Sequence, residues 1–233
     1  MELAPGLSTF SVLIIGFVLG LRHATEADHL AAVSTIVSEK KNLFTASIVG
    51  GLWGVGHTIS LFAVGLIVIF LKFQISASVE AKLEAGVGLM LVILGANALR
   101  KLFQSEKIHA HAHEHDGHAH THIHTHKAEL SEKSHHRFSP RSVVVGMVHG
   151  LAGSAALMLL IVPTIQSPLV AVSYILIFGV GSIGGMMVMS VVVGLPFHFT
   201  ANRFDVLNKA IRLCAGVFSL GLGFSIIYEK LLA

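Results

Sequence analysis

Phe10-Ser11-Val12-Leu13-Ile14-Ile15-Gly16-Phe17-Val18-Leu19-Gly20-Leu21-Arg22-His23-Ala24-Thr25-Glu26-Ala27-Asp28-His29 runs from almost unbroken apolar sequence straight into a cluster of ionisable groups. The first part predicts a membrane helix, since a bilayer core takes about 20 helical residues to cross. The second part puts two imidazoles and two carboxylates where hydrocarbon makes them expensive. Ionisable groups so placed face a cavity or a pathway and mark a functional site. Imidazole with carboxylate is a ligand set suited to a divalent transition ion. On an ideal helix, at about 100° per residue, His23, Glu26 and His29 fall within about 120° of one another, with Asp28 about 100° further round. A continuous helix then offers three of these groups to one cavity, and local unwinding would let all four converge. The plainer alternative is a polar helix end solvated by the interface.

Composition agrees with a membrane protein. The 233 residues are 53% hydrophobic and 12% charged, with a mean hydropathy of +0.76. A soluble domain carries about 25% charged residues. Cys214 is the only cysteine, which excludes an intrachain disulfide and a thiolate metal cluster. Met1-Glu2-Leu3-Ala4-Pro5 lacks the basic start of a signal peptide, so the first apolar run is read as a retained helix. Apolar stretches near 8–36, 44–71, 79–100, 141–163, 168–195 and 207–230 predict an all-α polytopic protein with six transmembrane helices. The first is long for one span, so it is either tilted or broken near the polar motif. The chain divides into a three-helix half at 1–100, a His-rich flexible loop at 101–140 and a second three-helix half at 141–233.

The basic residues sort by side. Twelve follow spans one, three and five, from Lys40 and Lys41 through Arg100, Lys101 and the loop to Arg203, Lys209 and Arg212; only Lys72, Lys82 and Lys230 lie opposite. This bias puts the His-rich loop in the cytoplasm and both termini outside, in the cell membrane. It explains the net charge of +3 without nucleic-acid binding.

The two halves also resemble each other. Gly20-Leu21-Arg22-His23-Ala24 matches Gly146-Met147-Val148-His149-Gly150. Trp53-Gly54-Val55-Gly56-His57 matches Phe178-Gly179-Val180-Gly181-Ser182, and Leu83-Glu84-Ala85-Gly86-Val87 matches Leu213-Cys214-Ala215-Gly216-Val217. Repeats with an odd number of spans must be inverted, an architecture of secondary transporters with a site near the midplane. The alternative is chance similarity among Gly-rich helices. His149 takes the repeat position of His23, while Ser154 and Ala155 take those of Asp28 and His29.

Arg22-His23-Ala24-Thr25-Glu26-Ala27-Asp28-His29-Leu30 resembles the His-x4-Asp-His signature of the nickel/cobalt transporter family, and Gly56-His57-Thr58 is similar to that family's second motif. The chain looks closer to the family's short branch, some of whose members sit with urease accessory genes. The resemblance implies that His23, Asp28, His29 and His57 handle the metal; Glu26 joins them from the residue reading, although it stands where better-known members carry Asp. It implies Ni2+ or Co2+ as transported substrate and no prosthetic group. The partners it implies are the lipid bilayer and cytoplasmic nickel chaperones or urease or hydrogenase maturation proteins. Asn97 and His149 are accessory candidates.

His109, His111, His113, His115, His118, His120, His122, His124 and His126 form a tract with histidine at nearly every second position. Neutral imidazole is the commonest metal ligand, and such tracts read as metal binding, here a low-specificity cytoplasmic buffer. The Met186-Met187-Met189 group reads as packing, and His198 as interfacial. The reading is a secondary transporter of a divalent metal ion working by alternating access, with import favoured and efflux as the alternative. A second alternative is a non-transporting, membrane-anchored storage or urease-accessory protein. An enzyme is not expected: His23 and His29 are six apart, not at the spacing of a zinc-protease helix, and no Gly-x4-Gly-Lys-Ser/Thr loop is present.

Overall fold

The computed structural model describes residues 8–40, 42–72, 76–104, 109–115, 118–124, 140–151, 165, 167–201 and 203–232. Outside them lie the N-terminal pentapeptide, His126, the later part of the fourth apolar stretch, Ser154 and Ala155. Seven helices are described: α1 (Thr9–His23), α2 (Ala27–Val37), α3 (Leu43–Leu71), α4 (Ala77–Gln104), α5 (Pro140–Gly150), α6 (Pro168–Thr200) and α7 (Asp205–Leu231). Three of them, α3, α6 and α7, are long and apolar enough to cross a membrane, and α1 with α2 forms a bent pair that makes a fourth if counted as one span. The α4 helix is long but carries Glu80, Lys82 and Glu84 near one end and Arg100 and Lys101 near the other.

The outer surface is covered with exposed large apolar side chains, among them Phe10, Val18, Ile93, Val180 and Phe224. On a soluble protein so much exposed apolar surface would drive association; around membrane helices it meets lipid. Inside, small residues let the helices approach closely, as membrane packing requires. A Cβ on Gly20 of α1 would strike the Phe178 carbonyl of α6, and one on Gly146 of α5 would strike the Trp53 carbonyl of α3. Likewise a Cβ on Gly181 would meet the Phe17 carbonyl, and one on Gly56 the Val143 carbonyl. Hydroxyls tie the seams: Ser60 Oγ donates to the Met147 carbonyl at 2.8 Å, and Thr58 Oγ1 to that of Gly179 at 3.3 Å.

The helices form two packed groups. α1, α3, α5 and α6 pack as one; α4 and α7 pair along their length as the other. In the pair, Gly88 meets Gly223 and Gly95 meets Gly216, so the two helices run antiparallel. Ser219 Oγ donates to the Leu91 carbonyl across it at 2.9 Å. The short α2 lies between the groups, on α6 and α7 with a smaller contact to α4. At its far end Lys101 Nζ of α4 donates to Glu39 Oε2 at 2.8 Å. At the opposite end of the α4–α7 pair, Lys230 Nζ lies 2.6 Å from Glu84 Oε2.

Within 101–140 the backbone forms β1 (His109–His115) and β2 (His118–His124), paired antiparallel. The register sets His109 opposite His124, His111 opposite His122, His113 opposite His120 and His115 opposite His118. A period-2 sequence is the pattern a strand takes, so a tract of alternating histidine and small residues pairs with itself in this way.

Candidate metal centre

The polar motif breaks the first span. Both the Thr25 N–H and the Thr25 hydroxyl donate to the Arg22 carbonyl, at 2.9 and 2.6 Å, and close a tight turn. Glu26 then takes an extended backbone and caps α2, which leaves at 54° to α1. Of the two expectations for this long stretch, the break is the one observed. The break puts His23 at the end of α1 and Asp28 and His29 in the first turn of α2, so their side chains converge from two helix ends.

Four imidazoles meet there. His23, His29, His57 of α3 and His149 of α5 are all buried, none more than 2% exposed. Ring centroids lie 4.2 Å apart for His23–His29 and for His29–His149, 5.1 Å for His23–His57 and 5.4 Å for His29–His57. Nitrogen atoms of His23, His29 and His57 can be chosen that all lie within 4.8 Å of one another, and the same holds for ligand atoms of Asp28, His29 and His149. His29 belongs to both groupings.

Asp28 organises the cluster. Its Oδ1 accepts from the His29 backbone N–H at 2.8 Å and from the His29 ring Nδ1 at 3.0 Å; its Oδ2 accepts from His149 Nε2 at 3.1 Å. An ionised carboxylate only accepts, so both rings present N–H to Asp28, and this fixes their tautomers. The lone pairs left over are on His29 Nε2 and His149 Nδ1. Both atoms are buried without a hydrogen-bond partner among the described residues, as is His23 Nε2. A buried polar atom without a partner is costly. Several on one cluster of imidazoles are what a divalent cation would satisfy.

The remaining sequence candidates take lesser places. Glu26 Oε1 lies 2.9 Å from His23 Nδ1, yet the side chain is 39% exposed and the contact lacks hydrogen-bond geometry. Glu26 therefore stands at the rim rather than among the imidazoles. Asn97 lies on α4, two residues from the Gly95 contact with α7, in the other helix group. His198 is exposed on the last turn of α6. Tract residues 109–115 and 118–124 form the two strands of the hairpin, and His126 lies outside the described residues.

Two residues of the site escaped the sequence reading. Trp53 lies 5.2 Å from the His29 ring and 5.4 Å from that of His149, and Phe178 lies 5.7 Å from that of His23. These buried aromatic rings line the imidazole cluster. They were already paired with each other in the internal match, which was the signal available. That match also carried His149, an accessory candidate that lies at the centre.

Three curated relatives share most of the chain. It is 37% identical to the urease accessory protein UreH of Bacillus sp. (strain TB-90), over 94% of this chain and 91% of that one. It is 24% identical to the chloroplast protein FOR GROWTH AND FERTILITY 2 of Arabidopsis thaliana, over 92% of this chain and 55% of that one. With FOR GROWTH AND FERTILITY 1 of the same plant the identity is 25%, over 91% and 57%. No solved structure matches. The model of the NicO family, described as high-affinity nickel-transport protein, matches residues 9–226, and the chain belongs to that family.

Proposed function

We propose that this protein carries Ni2+, or Co2+, across the cell membrane by alternating access, with the ion held by His23, His29, His57 and His149 and with Asp28 setting the tautomers of two of them. The observation that carries the reading is the buried cluster of four imidazoles, with ring nitrogens of His23, His29 and His149 that have no hydrogen-bond partner among the described residues. The ion exchanges water for imidazole on entering the cluster and takes water back on leaving. Ligation needs neutral imidazole, so a proton arriving at a ring nitrogen weakens the hold. Asp28 offers a place from which such protons are shared between His29 and His149.

The architecture we propose is six spans in two inverted halves. The close contacts support it, because they come in exchangeable pairs. Gly20 on the Phe178 carbonyl corresponds to Gly146 on the Trp53 carbonyl, and Gly181 on Phe17 to Gly56 on Val143. Each pair interchanges if the first half is swapped for the second along the sequence match. The cluster then lies on the symmetry axis between the halves, where repeat transporters bind their cargo. The Glu39–Lys101 contact supports the charge sorting, since it joins the ends of spans one and three. With the loop cytoplasmic, both termini lie outside.

We favour import. A relative named for urease accessory function fits an ion brought inward toward an enzyme that needs it. That name also favours a second reading, an accessory protein that stores metal on its histidine tract without transport. Nickel flux into proteoliposomes separates the two. Flux reduced to background by His23→Ala and retained after deletion of 109–126 supports transport through the cluster. Unchanged flux in His23→Ala, or none from folded wild type, overturns it.

A further inference from the structure

Ser182 is fully buried in α6, and its hydroxyl has no hydrogen-bond partner among the described residues. Serines and threonines in helices ordinarily return the hydroxyl to a carbonyl one turn back. Thr35, Ser38 and Thr200 do so here. For Ser182 that carbonyl would be Phe178, the one on which Gly20 of α1 packs.

Its neighbours fix where Ser182 stands. Gly181 lies against the Phe17 carbonyl, and Gly185 against Leu21 and Ala24. The Ser182 backbone nitrogen is 2.9 Å from where a Cβ on Gly20 would be. Ser182 is thus level with the turn of α1 that carries His23. Phe178, one turn earlier on the same face of α6, has its ring 5.7 Å from the His23 ring. The mirror contact is present too: a Cβ on Gly150 would meet the His57 backbone, so His57 lies against the turn that carries His149. Gly181-Ser182 occupies in the second half the place of Gly56-His57 in the first.

Ser190 is a useful contrast. Its hydroxyl is also buried without a hydrogen bond among the described residues, but it packs on Gly50 in the α3–α6 seam, where no imidazole is found among the described ring contacts.

We infer that Ser182 is a further cargo-contacting residue of the four-histidine chamber, offering a neutral oxygen to the divalent ion or to a water bound to it. This rests on the metal-carrying role proposed above. The chemistry gives a reason for a hydroxyl rather than a further imidazole. A site that conducts must hold its ion well enough to take it and weakly enough to release it. Oxygen donors are harder and hold a late divalent transition ion less tightly than imidazole does. One half therefore supplies nitrogen at this position and the other supplies oxygen.

The test is Ser182→Cys in the full chain, purified and loaded with Ni2+. A thiolate bound to nickel gives a near-ultraviolet charge-transfer band that a structural role would not produce. Exposed Cys214 is present in wild type and variant alike and sets the baseline. The expected result is a band in Ser182→Cys that is absent from wild type and disappears when His23→Ala is added. Ser182→Ala should weaken nickel binding about tenfold, the low end of the range for groups that support a metal site. A variant that loads nickel to the wild-type level and shows no band, with Ser182→Ala binding unchanged, overturns the inference. The two readings fail separately. A band with no wild-type flux removes transport and leaves Ser182 as a metal contact. Normal flux with no band does the reverse.

Discussion

Asp28 holds two of the four imidazoles. Asp28→Asn keeps the shape but removes the charge that receives the His29 Nδ1–H and His149 Nε2–H. Loss of an orienting carboxylate at a metal site lowers affinity by about 10–100-fold. That loss is expected in a nickel titration of the purified variant, beside a smaller effect for Glu26→Gln, whose side chain stands at the rim. Equal losses would mean that Glu26 enters the chamber. Acidification acts in one direction. Protonated imidazole has no lone pair to give, so nickel retained by the chamber should fall steadily as pH is lowered. Equilibrium dialysis across a pH series reads this directly, with His23→Ala as the baseline for metal bound elsewhere.

The helices meet through glycines, and two sets of these glycines differ in what surrounds them. Gly20 and Gly146 face backbone carbonyls of the next helix, which cannot move aside. Alanine at either overpacks a crossing that sets the cluster, at a cost of about 1–3 kcal/mol. Gly86, Gly184 and Gly221 have nothing within 4 Å of a added Cβ. Alanine there removes a poor helix former and should be neutral or stabilise by up to about 1 kcal/mol. Thermal unfolding in detergent separates the two sets, and a loss at Gly184→Ala equal to that at Gly20→Ala would contradict the packing described. The Glu39–Lys101 pair is partly exposed at both ends, 34% and 38%. Such pairs contribute about 0.2–1 kcal/mol, so Glu39→Gln should shift unfolding only slightly, and less so in high salt.

In the molecule as a whole, the four-histidine cluster is assembled from α1, α3 and α5 together with the first turn of α2, while the histidine hairpin lies on the connection between α4 and α5. Deleting 109–126 should leave nickel flux within about twofold of wild type and lower the number of ions bound per chain, because tract imidazoles are ligands in their own right. Flux abolished by that deletion, with His23→Ala harmless, would move the function to the tract. Much of this was legible in the sequence. Low charge with long apolar runs gives a membrane protein, and His23, Asp28, His29 and His57 are in a motif dense enough to be read without coordinates. The internal match aligns Gly20 with Gly146 and Trp53 with Phe178, and these are the residues that meet crosswise, Gly20 on Phe178 and Gly146 on Trp53. The apolar runs, the motif and the match are local properties, set by which solvent each residue tolerates and by the period of the chain. Which of these groups meet is set by how the helices pack. His149 moves from the margin to the centre, Glu26 from the motif to the rim, and Trp53 and Phe178 become walls. That geometry depends on the bend after His23 and on helix crossings held by glycine-to-carbonyl contacts between residues far apart in the chain, and neither is written in the period of any one segment.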